Sequence, residues 1–517
     1  MKKKVGTLIL AFIFLLSFAA CGTGGAPQST SPTAASAENS SSPTTTVAGP
    51  PTQLNVVFAQ SAQNLADIND VTSEINKLSQ AKINTTVTLT GIPIANFNQQ
   101  IRLMLTSQEK MDLMLTGTLA FEDYAGQIAN KQLLALNDLL DKYGQGIKDA
   151  LGSFLEGAKV GGNYYAVPSV RDEAKGAGFA IRSDLVDKYK IDLSTVKSLE
   201  DLTPIFKVLK ENEPDIAVFN PCQTASSGLD VSVHVPGGDC LASDHYFTGV
   251  MLDSQDTASK LVNWYETPQA AAMFKLVREW NQAGYIMQGA TSNTETFQSL
   301  IKAGKVASAI QDVKPGVEGQ LSKQCGMPMK VVPVAPAISY TGVVDAFMFA
   351  IPTYCKTPDQ AMQFLNLLYT DKDIVNLVDW GIEGKHYVKN SDGTIKYPDG
   401  IDATTVGYPM NFGFMWGNQQ LSYVFEGDPV DLWDQMKTFN STSIVSKGLG
   451  FLFDPTPVKT QYAACVNVWQ QYEKALGVGA VDPDKVLPEF ISKLKAAGSD
   501  AIVAEKQKQF DAWLAAK

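Results

Sequence analysis

The sequence predicts an α/β protein. Segments with strand character alternate with segments of helical periodicity from residue 54 onward, and the short connections favour a mostly parallel sheet covered by helices. The chain has 517 residues, of which 45% are hydrophobic and 18% charged, so it can form two or more hydrophobic cores. No segment repeats at a fixed period, which disfavours a solenoid.

The first part of this alternation lies between residues 54 and 136. Asn96 is predicted to cap one of its helices, because an asparagine side chain can accept a hydrogen bond from a free N–H group of the first turn. Strands are predicted at residues 54–59, 85–90 and 111–115, and helices at residues 68–78, 96–105 and 121–136.

The same alternation continues with longer helices after residue 170. Strands are predicted at residues 178–181 and 306–310, and a helical turn at residues 184–189. Helix starts are indicated by a capping residue that is followed by proline or by an acid in the first turn. These starts are Ser198 with Asp201, Thr267 with Pro268, and Thr357 with Pro358.

Residues 1–20 have the pattern of an export signal. Three lysines precede an apolar run over residues 5–20, and small residues stand directly before Cys21. The pattern resembles a bacterial lipoprotein signal peptide, although Phe18 replaces the usual leucine, and it implies that Cys21 becomes the lipid-modified first residue. The protein is then anchored by lipid to the extracytoplasmic face of the cell membrane. An uncleaved anchor is the alternative, which the shortness of the apolar run disfavours.

Residues 21–53 are predicted to form a disordered tether. From residue 22 onward they are almost entirely Gly, Ala, Ser, Thr and Pro, and Glu38 is their only charged residue. Such a segment buries too little apolar area to offset its ordering entropy, and its r.m.s. span is about 30 Å. The alternative is an O-glycosylated leader.

The charge balance disfavours nucleic acid as a main partner. The chain has 53 acidic and 42 basic residues and a net charge of −11. Binding to phosphates requires a cationic face, and none dominates in this sequence. We therefore predict no nucleic-acid partner.

Several motifs resemble those of extracellular solute-binding proteins that serve carbohydrate ABC importers. Residues 161–168 (GGNYYAVP) precede a fresh strand, at the place where the chain of that family first crosses between lobes. The segments at residues 380–387, 414–419, 450–455 and 481–484 resemble the LipO-type lipoproteins with their characteristic C-terminal region. The resemblance covers residues 54–517. It implies a two-lobe, periplasmic-binding-protein-like fold of type II with a hinged cleft and a helical C-terminal region.

The resemblance also implies a function. The protein would bind a saccharide between its lobes and deliver it to the permease subunits of an ABC transporter, as a monomer without a cofactor or catalysis. Ligand would shift an equilibrium between open and closed lobes. We assign residues 54–169 and 313–354 to lobe 1, and residues 170–312 and 355–517, with the C-terminal region, to lobe 2.

Aromatic and planar polar side chains are the candidate ligand contacts. A sugar offers apolar ring faces for stacking and hydroxyl groups for paired hydrogen bonds. The other reading of Arg171 and Asp172 is a solvated charge cluster at the hinge, whereas Trp264, Trp280, Trp433 and Trp469 are assigned to packing. The predicted ligand-binding residues are Gln60, Thr116, Tyr165, Arg171, Asp172, Asp312, Trp380, Glu383, His386, Trp416 and Asn418.

Alternatives to saccharide binding have weaker support in the sequence. Glu383 and His386 stand three residues apart, and we interpret them as a structural hydrogen-bonded pair and predict no metal site. No G-x-S-x-G, G-x-x-x-x-G-K-[ST], G-x-G-x-x-G or H-E-x-x-H motif occurs, so a secreted glycoside hydrolase is disfavoured and no catalytic residue is proposed. A receptor for a peptide or another small solute is one remaining alternative, and a surface adhesin or a signalling partner of a sensor is another.

Six cysteines leave five once Cys21 is set aside for lipid. Cys222 and Cys240 flank an excursion that contains glycine and proline, and a disulfide between them would contribute about 3 kcal/mol. Cys325, Cys355 and Cys465 would then leave at least one free thiol.

Overall fold

The computed structural model describes residues 49–60, 65–118, 124–221, 235–243, 245–258, 260–410 and 412–517. The chain divides into two units, Met1–Ala48 and Gly49–Lys517, and all the described residues belong to the second. Residues 1–48, with the predicted signal peptide, Cys21 and most of the predicted tether, therefore lie outside the described part. None of the helices in that part has the length and hydrophobicity needed to cross a bilayer.

Strands and helices are numbered in chain order within the described residues. The strands are β1 (Thr52–Gln60), β2 (Thr85–Pro93), β3 (Leu113–Thr116), β4 (Lys159–Val160), β5 (Asn163–Tyr164), β6 (Ala166–Pro168), β7 (Gly176–Arg182), β8 (Ala217–Asn220), β9 (Val306–Val313), β10 (Met329–Pro333), β11 (Ile338–Ser339), β12 (Met348–Ala350), β13 (Val388–Lys389), β14 (Ile395–Lys396) and β15 (Ile444–Val445). The α-helices are α1 (Ile68–Ile83), α2 (Ile94–Ser107), α3 (Tyr124–Ala129), α4 (Asn137–Tyr143), α5 (Gln145–Leu151), α6 (Ser183–Tyr189), α7 (Thr203–Asn212), α8 (Pro268–Gln282), α9 (Phe297–Lys302), α10 (Val317–Cys325), α11 (Thr341–Val344), α12 (Pro358–Thr370), α13 (Lys372–Trp380), α14 (Leu432–Thr442), α15 (Lys459–Gly477), α16 (Pro483–Ala497) and α17 (Ser499–Ala516).

Lobe 1 is built on a five-stranded sheet with the order β2-β1-β3-β12-β6. β1 runs parallel to β2 and β3, whereas β12 runs antiparallel to β3 and β6. The consecutive β1 residues Val56, Val57 and Phe58 are fully buried, as expected for a strand covered by helices on both faces. Because β1 and β3 are parallel neighbours, their carboxyl ends lie at the same edge of this sheet.

Lobe 2 is built on a four-stranded sheet with the order β10-β7-β9-β8. β7 runs antiparallel to β9 and β10, and β8 runs parallel to β9. Trp264 and Trp280 are buried in a core separate from that of lobe 1, which confirms their assignment to packing. The predicted start of α8 is also confirmed, because the Thr267 hydroxyl accepts a hydrogen bond from Ala270 N at 3.2 Å.

The predicted lobe boundaries are wrong at two places. The first is residues 313–333, assigned to lobe 1, whose strand β10 pairs with β7 in the lobe 2 sheet. The second is the segment that follows β12, assigned to lobe 2, whose helices α12 and α13 contribute buried residues to the lobe 1 core. The chain crosses between sheets more often than the sequence pattern indicates, and no local signal marks which sheet a strand joins.

The C-terminal helices belong mainly to lobe 2. α15, α16 and α17 contribute Cys465, Phe490, Ile502 and Phe510 to the lobe 2 core. The segment before them passes the junction of the lobes, where Gly450 N donates to the Thr341 hydroxyl at 2.9 Å. The predicted helical C-terminal region is therefore present and is integrated with lobe 2.

Three local predictions differ from the structure. Residues 52 and 53 are not in a tether, because β1 begins at Thr52. Asn96 does not cap α2, which begins at Ile94 after Pro93. The helix predicted over residues 121–136 is limited to α3 in its described part, because Leu133 leaves the helical path and bridges Pro352.

Candidate functional site

The segment after β6 carries the chain from lobe 1 towards lobe 2. Ser169 N donates to Phe347 O at 3.0 Å, and the Ser169 hydroxyl donates to Phe414 O at 2.7 Å. Asn440 of α14 then fixes the next residues, because its amide donates to Arg171 O at 2.7 Å and its carbonyl oxygen accepts from Glu173 N at 2.9 Å. Backbone polar groups in this crossing segment are thus paired with three different parts of the chain.

A charge network surrounds the crossing segment. Arg171 is ion-paired with Asp172. Lys314 directly follows β9, and its Nζ lies 3.0 Å from Asp172 Oδ2. Lys175 Nζ lies 3.1 Å from Asp312 Oδ1. Burial opposes ionisation of Asp172, but Arg171 and Lys314 outweigh it and lower the pKa of this carboxyl. The structure therefore brings together three of the predicted residues, Arg171, Asp172 and Asp312.

Partly exposed aromatic rings lie beside this network. The Arg171 guanidinium stands 5.0 Å from the ring centre of Phe347, which in turn lies 4.9 Å from the ring centre of Phe414. Phe412 continues the row at 4.9 Å from Phe414. These three phenylalanines were missed by the sequence analysis. Phe412 and Phe414 lie next to the predicted residues Trp416 and Asn418 in sequence, whereas no predicted site residue lies near Phe347.

Tyr340 links this region to lobe 2. Burial raises the pKa of its hydroxyl, Lys175 opposes that rise, and Asp239 and Asp312 add to it. These charges therefore lie within electrostatic range of the phenol. Tyr340 was also missed by the sequence analysis, because its segment shows neither a turn motif nor a helical pattern.

Two carboxyl groups are buried inside the junction. Glu173 is 1% exposed and Asp345 is 0% exposed, and Glu173 Oε1 accepts from Arg171 N at 3.1 Å. Within the described residues, Glu173 Oε2 and both Asp345 carboxyl oxygens have no hydrogen-bond partner. Burial raises the pKa of Glu173 to about 8, and burial together with Glu173 raises that of Asp345 well above its ordinary value. Both groups are thus poised to hold protons at neutral pH.

The predicted residues of lobe 1 lie nearer its core than expected. Gln60 ends β1 and is 8% exposed, and Thr116 ends β3 and is fully buried. The Thr116 hydroxyl donates to Gln127 Oε1 at 2.8 Å. Tyr165 is half-buried, and its backbone N–H donates to the Tyr124 hydroxyl at 3.3 Å.

Trp416 is not a cleft residue, and the prediction that it stacks on ligand is wrong for the described conformation. Its ring is 0% exposed and lies 4.9 Å from Phe58 and 5.3 Å from Phe349, between ring centres. Trp380 is 9% exposed, stacks on Phe425 and donates to the Ser422 hydroxyl at 2.8 Å. Both indoles therefore pack within the protein.

Two further predicted residues, Asn418 and Glu383, have local structural partners. Asn418 Oδ1 accepts from Gln420 N at 3.0 Å and so caps a short turn of 3-10 helix. Glu383 pairs with Lys389 at 2.7 Å.

The expected pair of Glu383 with His386 is wrong. His386 is 2% exposed, its Nδ1 accepts from Ile382 N at 2.8 Å, and its Nε2 lies 3.1 Å from Asp67 Oδ2. Among the residues described, no group of three or more His, Cys, Asp and Glu side chains is arranged to hold a metal ion.

The cysteine pairing stays a prediction, because Cys222 lies outside the described residues. Cys325 and Cys465 are buried free thiols. Cys355 Sγ lies 3.3 Å from Asp112 Oδ1.

Two sheets, a crossing segment and polar and aromatic groups at their junction define a binding protein with two lobes. Residues 67–374 match the family of bacterial extracellular solute-binding proteins, and residues 447–515 match a domain of unknown function, DUF3502. The protein belongs to the family of bacterial extracellular solute-binding proteins. The predicted two-lobe α/β fold class is thereby confirmed, and the family, one of substrate-binding proteins, places the protein outside the cytoplasm.

The chain is similar to characterised relatives along nearly its whole length. A carbohydrate ABC transporter substrate-binding protein of Streptococcus pneumoniae serotype 4 is 27% identical over 458 residues, which cover 87% of this chain and 88% of the relative. The N-glycan transport solute-binding protein NgtS of S. pneumoniae is 25% identical, with a TM-score of 0.79 over 90% of this chain and 99% of NgtS. The NgtS complex with Man5GlcNAc covers the same shares and gives a TM-score of 0.66.

Proposed function

We propose that this protein binds an oligosaccharide between its two lobes and delivers it to the permease subunits of an ABC importer. The observation that carries the proposal is the similarity to NgtS, which extends over almost all of both chains and includes a complex with Man5GlcNAc. The relative described as a carbohydrate ABC transporter substrate-binding protein supports the same ligand class. An N-glycan of the oligomannose type is therefore the first ligand to test.

The junction has the chemistry that a sugar requires. The half-buried rings of Phe347 and Phe414 offer flat faces for the apolar side of a sugar ring. Arg171, Asp172 and Asp312 offer planar groups that can form paired hydrogen bonds with hydroxyl groups. We assign ligand contact first to these five residues.

The comparison with NgtS also supports closure around the ligand. NgtS is 25% identical to this chain in both structures, yet the TM-score falls from 0.79 to 0.66 in the Man5GlcNAc complex. Because identity and coverage are the same in the two comparisons, we attribute the difference to two conformations of NgtS. A hinge between two lobes explains such a difference without a change of fold.

Isothermal titration calorimetry with Man5GlcNAc tests the proposed function and the role of Phe347. We expect the wild-type protein to bind this glycan and the Phe347→Leu variant to bind it about 10-fold more weakly, because leucine keeps apolar volume but loses the flat ring. Phe154→Leu is the matched control, since Phe154, like Phe347, is partly buried against the lobe 1 core but lies in a 3-10 turn at Gly152–Ala158, outside the row of rings beside Arg171. We expect its affinity to equal that of the wild type.

The same titration separates the alternatives. Peptides, alginate oligosaccharides and Man1GlcNAc form the comparison panel, and mass spectrometry of the recovered glycan detects hydrolysis. Binding of a peptide without any saccharide would refute the proposed ligand class, and a cleaved glycan would refute a pure binding role. Equal affinities of the two phenylalanine variants would remove Phe347 from the site.

We further propose that Cys21 carries the lipid that holds the protein at the membrane and that the protein acts as a monomer. The export signal before Cys21 supports the anchor. We expect Cys21→Ala to move the protein from the membrane fraction to the medium, as measured by immunoblotting of both fractions. An unchanged distribution would contradict lipid anchoring through this residue. Cys465→Ala controls for loss of a cysteine elsewhere in the chain.

A further inference from the structure

Lys506 of the C-terminal region is buried and makes three hydrogen bonds to one segment of lobe 2. Its side chain lies on α17 and is 0% exposed. Its Nζ donates to Cys240 O at 2.7 Å, to Gly249 O at 2.9 Å and to the Thr248 hydroxyl at 3.2 Å. We name residues 235–243 and 245–249 the anchored segment.

A buried lysine is costly, so its partners indicate what it stabilises. The charge of Lys506 faces the Asp239 carboxyl and the Cys240 thiol of the anchored segment. On the other side, the ring of Phe453 lies 5.5 Å from Nζ and carries no charge. Burial lowers the pKa of Lys506 to about 8, against the opposing effect of Cys240 and Asp239. All three oxygen atoms that accept hydrogen bonds from Lys506 Nζ belong to the anchored segment. The hydrogen bonds that offset the desolvation of this lysine are therefore made to that segment.

A second contact from the C-terminal side holds the same segment. The Ser446 hydroxyl donates to the buried Asp239 carboxylate, whose other oxygen accepts from Leu241 N at 2.7 Å. Ser446 directly precedes the DUF3502 match, and Lys506 lies within it. Ser446, just before this C-terminal region, and Lys506, on its last helix, therefore both form hydrogen bonds to the anchored segment.

The anchored segment is linked to the lobe junction through Ser446, which binds Asp239 and whose backbone N–H donates to Ser339 O at 2.8 Å, next to Tyr340. β8, which precedes the anchored segment along the chain, runs parallel to β9, so the carboxyl end of β8 at Asn220 lies at the same edge of the sheet as Asp312 and Val313. Ligands of α/β proteins bind beyond the carboxyl ends of such strands. Asp239 also lies within electrostatic range of Tyr340 at the junction.

We propose that Lys506 is a positioning residue for glycan binding, through which the C-terminal region of unknown function fixes the anchored segment beside the lobe junction. This inference rests on the proposed function. It gives the DUF3502 region a role in ligand affinity in addition to its contribution to the core of lobe 2. Lys506 itself does not contact the ligand.

The test compares Lys506→Met with the wild type and with Lys508→Met. Methionine has similar volume and removes a buried charge, so Lys506→Met is expected to fold. Lys508 is two residues away and 75% exposed, which makes it a matched control. We expect Lys506→Met to weaken Man5GlcNAc binding about 10-fold and to increase hydrogen exchange in the anchored segment but not in α8, whereas Lys508→Met changes neither.

A pH profile separates positioning from a purely structural effect. Above pH 8 the Lys506 amine loses a proton and one of its three donors, so wild-type affinity should fall between pH 7 and 9.5 relative to Lys506→Met. Glu173 titrates in the same range but is present in both proteins, and the difference between their profiles isolates Lys506.

Three outcomes would overturn the inference. These are unchanged affinity in Lys506→Met, parallel pH profiles of the two proteins, and increased exchange throughout lobe 2 instead of in the anchored segment. If the wild type binds no glycan, the proposed function is refuted, and so is the proposed effect of Lys506 on glycan affinity. Hydrogen exchange then still decides whether Lys506 holds the segment.

Discussion

Replacing Trp416 with alanine is expected to lower the free energy of unfolding by about 4 kcal/mol. The ring is fully buried between Phe58 and Phe349, so its removal leaves a large cavity in the core of lobe 1. Urea denaturation, followed by fluorescence or circular dichroism, measures the change.

Trp416→Phe separates core packing from ligand stacking. The indole Nε1 has no hydrogen-bond partner among the described residues, so the change to phenylalanine reduces the buried volume without removing a hydrogen bond. We expect this variant to lose about 1 to 2 kcal/mol of stability and to keep its affinity for Man5GlcNAc within twofold. A 10-fold loss of affinity with unchanged stability would restore Trp416 to the binding site. Trp433→Ala, at a partly buried position on α14, serves as the control for loss of an indole.

The strands and helices of the first part of lobe 1 could be predicted because their signals are local. Residues 54–59 and 85–90 fall inside β1 and β2, and residues 68–78 fall inside α1. Apolar runs and helical periodicity are set by neighbours along the chain. Which sheet a later segment joins depends on pairing with distant residues, so β10 and α12 were assigned to the wrong lobes.

The charged residues at the lobe junction were predicted better than the aromatic ones. Arg171 and Asp172 directly follow the crossing motif, so their location depended on one correct assignment. In a helix or a strand, the sequence period predicts which side chains point to the core, but an irregular segment has no such period. In residues 412–416 the phenylalanines lie towards the junction and Trp416 lies in the core, which composition alone could not distinguish.

Glu173→Gln is expected to remove a large part of the pH dependence of stability. Glu173 has a pKa of about 8 in the folded protein against an ordinary value of 4.5, so the folded chain holds an extra proton between these pH values. Stability therefore falls as pH rises from 4.5 to about 8, by about 5 kcal/mol for this group. Glutamine keeps an acceptor for Arg171 N and cannot ionise, and the variant should be more stable than the wild type at pH 8.5.

Denaturant titrations at pH 5 and pH 8.5 measure this effect, with Glu295→Gln as the matched control at an exposed glutamate paired with Lys305. Asp345 changes stability in the same direction, since its pKa is also raised, and it leaves a residual slope in Glu173→Gln. Equal slopes in the wild type and Glu173→Gln would show that Glu173 is hydrated in solution. Because Glu173 N and Arg171 O both bind Asn440, a charge appearing on this carboxyl acts on the crossing segment itself. The proton on Glu173 is thus coupled to the segment that joins the lobes, and the pH dependence of stability reports on that segment directly.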